Sequence, residues 1–148
     1  MANSTQYAKT VAASPSKIST TELHGRVRVA YADFTADAAQ ETINMFKLPD
    51  GARIIGGRLN HAALGSSTTV SVGHAAYVNA AGSTVALDVD EYKAAASSAS
   101  ATGSAIAATT ALGENSLVDA PDGLIVTATT SGGDATGLIT VQMTYVLD

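Results

Sequence analysis

A two-residue alternation of apolar and polar side chains recurs along this chain and limits what it can become. It is clearest in "LITVQMTYVL", where Ile139, Val141, Met143, Tyr145 and Leu147 share one parity and Thr140, Gln142 and Thr144 the other. Side chains of an extended strand point to alternate faces, so this is a strand with one face against a core. In "HGRVRVAY", Val27, Val29 and Tyr31 face one way and Arg26 and Arg28 the other; "GARIIGGRL" sets Ile54 against Ile55 and Leu59, and "TTVSVGH" alternates around Val70 and Val72. "TINMFKL" and "LIVTATT" read as further strands, and "SGGDATG" reads as a hairpin connection between the last two strands. "DVDEYKAAASSAS" breaks the pattern: Asp88 with Glu91 three residues on resembles a capping box, and the alanines that follow predict one short helix over residues 88–100. One more strand is expected around Ile106. Six or more short strands with one helix predict an all-β fold, an antiparallel β-sandwich or jelly-roll-like domain.

Composition decides how thick that core can be. Of 148 residues, 29 are alanine, and Leu, Ile, Val and Phe together number 31, with no tryptophan. A core this thin implies that burial continues at a subunit interface. Residues 1–20 are mainly Ser, Thr and Ala with Tyr7, Lys9 and Lys17 and no acid, and read as a flexible N-terminal arm ahead of a β-domain over 21–148. Two readings of the arm stay open: a tail without a role, or a segment that orders on an acidic partner. Net charge is −5, unevenly spread: +2 over residues 1–60 and −7 over 61–148. An acidic chain without a basic stripe is a poor nucleic-acid binder. There is no apolar signal core and no run of membrane-spanning length, so a cytosolically made chain without a membrane is expected. With no cysteine, disulfides and thiolate chemistry are excluded.

"KLPDGARIIGGRL" has phosphate-loop spacing in its glycines, but Gly57, Arg58 and Leu59 stand where lysine and a hydroxyl are needed, and no helix signature follows. Pro49, Asp50 and Gly51 instead form a tight turn, with Asp50 capping it and Gly51 taking positive φ, while Gly56 and Gly57 mark a bulge. Pro121, Asp122 and Gly123 repeat that turn before another strand. His24, His61 and His74 lack zinc-ligand spacing, and the last two fit strand ends. Asp88, Asp90 and Glu91 lack the later ligands and the glycine of a calcium loop. No nucleophile elbow occurs. No catalytic, cofactor or metal site is expected, and the chain reads as a non-enzyme.

The run "INMFKLPDGARIIGGRLNHAALGSSTTVSVGHAAY" resembles the head-decoration, or capsid cement, proteins of tailed bacteriophages. An apolar strand leads into Leu48-Pro49-Asp50-Gly51-Ala52-Arg53-Ile54, and a second strand into Ala63-Leu64-Gly65-Ser66-Ser67-Thr68-Thr69-Val70-Ser71-Val72-Gly73. The likeness covers roughly residues 40–148 and includes the Asp-Glu-Tyr segment and the closing strand. The chain departs from it at His74 and in "AAYVNAAGSTVALDV", which reads as inserted. The resemblance implies a sandwich subunit, usually trimeric, on the outer capsid surface of the virion, its partners being the phage major capsid protein and its own copies, and its work being to hold the shell against packaged DNA. Tyr7, Lys9, Lys17, Arg26 and Arg28 are the candidate contacts with the capsid or a neighbouring subunit; a solvated strand face is the alternative for the two arginines. A tail or baseplate component and a virion-displayed carbohydrate-binding sandwich are the competing functions.

Overall fold

The computed structural model describes Ser4, Ala8, residues 25–37 and residues 40–147. Tyr7, Lys9, Lys17 and His24, with all of the proposed arm except Ser4 and Ala8, lie outside the described residues. Ten strands follow in order: β1 (Arg26–Asp37), β2 (Thr42–Leu48), β3 (Arg53–His61), β4 (Thr69–His74), β5 (Tyr77–Val78), β6 (Thr84–Val85), β7 (Asp88–Ser97), β8 (Thr102–Ile106), β9 (Leu124–Ser131) and β10 (Thr136–Leu147). Among the described residues one 3-10 turn stands at Thr110–Leu112.

Two four-stranded antiparallel sheets carry the fold, ordered β1-β10-β3-β8 and β2-β9-β4-β7, with β5 and β6 as a separate ribbon. The pairs are nested, β1 with β10, β2 with β9, β3 with β8 and β4 with β7. That is an antiparallel ribbon wound into two facing sheets, the jelly-roll-like sandwich expected from the alternation. One side of the sandwich is edged by β1 and β2, the other by β8 and β7. One end, called here the first end, holds the start of β1, the close of β10 and both Pro-Asp-Gly turns.

The core lies between the sheets. Ile139, Val141 and Met143 of β10 are fully buried and Tyr145 and Leu147 pack against them, as their shared parity requires. Leu48, Val70, Val72 and Val126 meet them from the second sheet. In β3 both Ile54 and Leu59 point inward although they differ in parity, because a bulge absorbs one residue. Thr144 pairs with Gly56 and Tyr145 with Ile54, leaving Ile55 unpaired and exposed, and Gly56 sits at φ 138°, a backbone state suited to glycine.

Two expectations fail. The helix over 88–100 is instead strand β7, paired with β4 through Val70–Ala96 and Val72–Lys93. The Asp88 carboxylate caps no helix; it accepts the Asp90 amide at 3.0 Å, a local turn at the strand's start. Pairing with β4 outweighs the modest helix preference of the alanines. "SGGDATG" is not a hairpin either, because β9 and β10 lie in different sheets and the segment crosses between them. The inserted-looking segment holds the β5–β6 ribbon, closed by the Asn79 side chain accepting the Ser83 amide at 2.9 Å.

Candidate interaction surface

β1 turns its faces in a way composition alone did not decide. Ala30 and Phe34 pack against the core and Ala36 is buried. The opposite parity, which carries Val27, Val29 and Tyr31, therefore faces away from the core, and these side chains are 63%, 54% and 62% exposed. Three large apolar groups in one row on an edge strand form a surface that association would bury. The row continues across β10 through the pairs Val27–Val146, Val29–Thr144 and Tyr31–Gln142. Beyond it the β3 bulge makes a shallow hollow of about 350 Å³ lined by Ile55, Gly56, Gly57, Arg58, Gln142 and Thr144.

Positive charge borders this row. Arg26 and Arg28 continue the inward parity of β1 past the end of the core, so both are exposed. The Arg28 Nε donates to the Leu147 carbonyl at 3.4 Å, which holds that side chain near the sheet end. Arg58 donates from Nε to the Asn60 side chain at 2.8 Å. Arg53 is more enclosed: Nη1 donates to the Asn115 carbonyl at 2.7 Å, and Nε is buried without a hydrogen-bond partner.

The opposite edge is acidic. Asp88, Asp90 and Glu91 open β7, and Glu114 follows the 3-10 turn beside it. The backbone amide of Asp90, received by the Asp88 carboxylate, holds the Asp88 carboxyl below the usual carboxylate range, while the hydrogen bond to Asp88 raises Asp90. His74 is buried close by, its Nδ1–H donating to the Ala75 carbonyl at 2.9 Å and its ring lying edge-on to Tyr77 at 5.4 Å. His61 ends β3 in the same way, with Nδ1 at 2.8 Å from the Ala62 carbonyl. Both histidines sit at strand ends as the sequence implied. Among the described residues no group of three or more His, Cys, Asp or Glu side chains is placed to hold a metal ion.

The two Pro-Asp-Gly turns, separate in sequence, lie side by side. Gly51 and Gly123 sit at φ 76° and 81°. Asp50 caps not its own turn but the other one, its carboxylate accepting the Ala120 amide at 2.8 Å, while the Gly51 amide donates to the Val118 carbonyl at 2.9 Å. Between the turns is an open hollow of about 360 Å³ lined by Lys47, Pro49, Asp50, Pro121, Asp122 and Gly123. The Asp50–Ala120 and Gly51–Val118 hydrogen bonds tie the two turns together beside it.

Of the candidate contacts, the structure places Arg26 and Arg28 at the start of β1, on the opposite parity from Val27, Val29 and Tyr31, so the charged pair and the apolar row share a strand but turn to different faces of it. The sequence reading missed that the apolar row faces outward. The available signal was the second row, Ala30, Ala32, Phe34 and Ala36, which also alternates and is small enough to lie under a facing sheet. Among the described residues no helix is long and apolar enough to cross a membrane.

No protein-family model matches the chain, and no curated protein sequence matches it. Solved structures with similar folds include a chain in the capsid asymmetric unit of cyanophage Pam1, with a TM-score of 0.63 at 21% identity over 84% of this chain and 86% of that one. A chain in the capsid of Ralstonia phage GP4 gives 0.62 at 22% identity, over 84% and 86% of the two chains. One in an acid-stable capsid structure of Helicobacter pylori bacteriophage KHP30 gives 0.57 at 18% identity, over 82% and 87%. At these identities the fold is what is shared.

Proposed function

We propose that this chain is a structural component of a phage virion, a non-enzymatic decoration protein that binds the outer surface of the head as a trimer and clamps neighbouring major capsid proteins. The observation that carries the reading is the exposed row Val27, Val29 and Tyr31 on β1, an edge strand paired only with β10 among the described residues, in a fold similar over more than four-fifths of its length to chains from three phage capsids. The thin core and the sequence resemblance to capsid cement proteins support the same conclusion. A trimer on a three-fold position repeats each weak shell contact three times, and linked contacts raise avidity by orders of magnitude without any single strong site. Tyr7, Lys9 and Lys17, ahead of β1, are proposed to reach the shell.

The test uses emptied or undecorated phage heads mixed with the purified protein. Saturable binding to heads, with rupture moved to higher temperature, is the expected outcome. Labelling confined to tails of intact virions would overturn the head assignment and favour a tail or baseplate role.

A further inference from the structure

We infer that the free edge of β1, with the side chains of both its parities, seats against the β7–β8 edge of the next copy, so that the trimer is a head-to-tail ring whose axis runs along the strands. This rests on the trimer reading above and names its interface. Three observations lead to it.

First, the two sides of the sandwich differ in sign at the same end. Arg26 and Arg28 stand at the start of β1, whereas Asp88, Asp90, Glu91 and Glu114, against the one basic Lys93, stand at the β7–β8 side and leave it net acidic. A surface that is basic on one side and acidic on the other fits a second copy of itself head to tail and repels itself two-fold. Second, the levels agree. Arg28 pairs with Tyr145, Tyr145 with Ile54, and the Ile54 carbonyl accepts the Asn115 amide at 2.8 Å, so Arg28 lies level with Glu114 across the first sheet. The Ala107 amide donates to the Tyr92 carbonyl at 2.8 Å, which brings Glu91 and Asp90 to that end as well. A closed ring has no rise along its axis, so rotation about an axis parallel to the strands keeps these levels and sets Arg26 and Arg28 against the acids. Third, the shapes agree. Tyr31, Gln142, Arg58 and Ala105 form one row across the sheet, so Tyr31 of one copy meets the level of the small Ala105 in the next, beside the Arg58 guanidinium that lies over Gly103.

The test uses the full-length protein in solution, without heads. Light scattering is expected to give a trimer for the unaltered chain, weakened by added salt as screening shortens the reach of the charges. Arg26→Glu with Arg28→Glu, and separately Asp90→Lys with Glu114→Lys, should each weaken assembly at least about 100-fold, because like charges then face each other. All four changes together should restore the trimer. A second measurement exploits the absence of cysteine: Tyr31→Cys combined with Ala105→Cys should give an intermolecular disulfide ladder ending at three copies under oxidation. Within one copy β10 and β3 separate these positions by about 14 Å, too far for a bridge. A trimer indifferent to both reversals, or one not restored by the fourfold variant, would overturn this interface while leaving the trimer intact. A chain that stays monomeric and gives no disulfide at high concentration would overturn the interface and the trimer together, and head binding then judges the decoration role by itself.

Discussion

At the scale of single residues, the tightest constraint is Gly73 in β4. A methyl group there would run into the Asp88 carbonyl oxygen and the Val89 backbone, which are fixed by the β4–β7 ladder. Backbone cannot swing aside as a long side chain can, so Gly73→Ala should lower stability by about 2–3 kcal/mol, read as a reduced denaturant midpoint; an unchanged midpoint would mean that β7 does not run so close. Asp50 gives a milder test. Asp50→Ala removes the acceptor of the Ala120 amide and should cost about 1 kcal/mol, whereas Asp50→Asn keeps an oxygen in place and should cost less. Tyr92 links stability to alkaline pH. Burial pushes its hydroxyl well above the usual tyrosine range, with the Glu91 carboxylate adding to the shift. The folded-state value is raised above the unfolded one, so the stabilisation is fully present below about pH 10 and is lost as pH rises above it, at about 1.4 kcal/mol per pH unit. In Tyr92→Phe that part of the slope should vanish, and parallel stability profiles for the two proteins from about pH 9 to about pH 11 would refute the assignment.

At the scale of elements, legibility followed how local each determinant is. The closing strand could be read residue by residue because its inner row is set by alternation alone, and the glycines of β3 could be read as a bulge because positive φ is a local property. The Pro-Asp-Gly turns were legible singly, but their meeting was not, since it depends on β2 and β9 pairing about eighty residues apart. β7 misled for the same reason. Its alanines and leading acids have helical preferences worth only tenths of a kcal/mol each, and the ladder with Val70 and Val72 that overrides them comes from elsewhere in the chain. "SGGDATG" has hairpin composition, yet nothing local tells a turn within one sheet from a crossing between two. Hydrogen exchange should follow the resulting order: amides of β9 and β10, each paired on both sides, should be the last to exchange, and those of the two-residue strands β5 and β6 among the first. Early exchange of Val126 or Val141 would contradict the nested order.

At the scale of the whole molecule, the question is what the chain gains by leaving Val27, Val29 and Tyr31 in water while its core is thin. Moving three such groups out of solvent contributes several kcal/mol at roughly 25 cal/mol per Å², and an isolated sandwich forgoes that contribution. The proposed ring would recover it at each of three joints and would then present three copies of every shell contact. On that proposal association and attachment are coupled: a change that only loosens the ring should also weaken binding to heads, though it touches no shell contact. Val27→Thr, Val29→Thr and Tyr31→Thr together put β-branched side chains, well suited to a strand, at all three positions, and because all three sites are exposed the folded monomer should keep its stability within about 0.5 kcal/mol. The same protein should lose its trimer in solution and bind heads at least about 100-fold more weakly, because avidity is lost with the second and third contacts. Unfolding curves, light scattering and head-binding isotherms on the one variant separate the possibilities. Loss of the trimer with head binding unchanged would show that single copies hold the shell by themselves. Loss of head binding with the trimer intact would move the apolar row from the joint between copies to the shell contact.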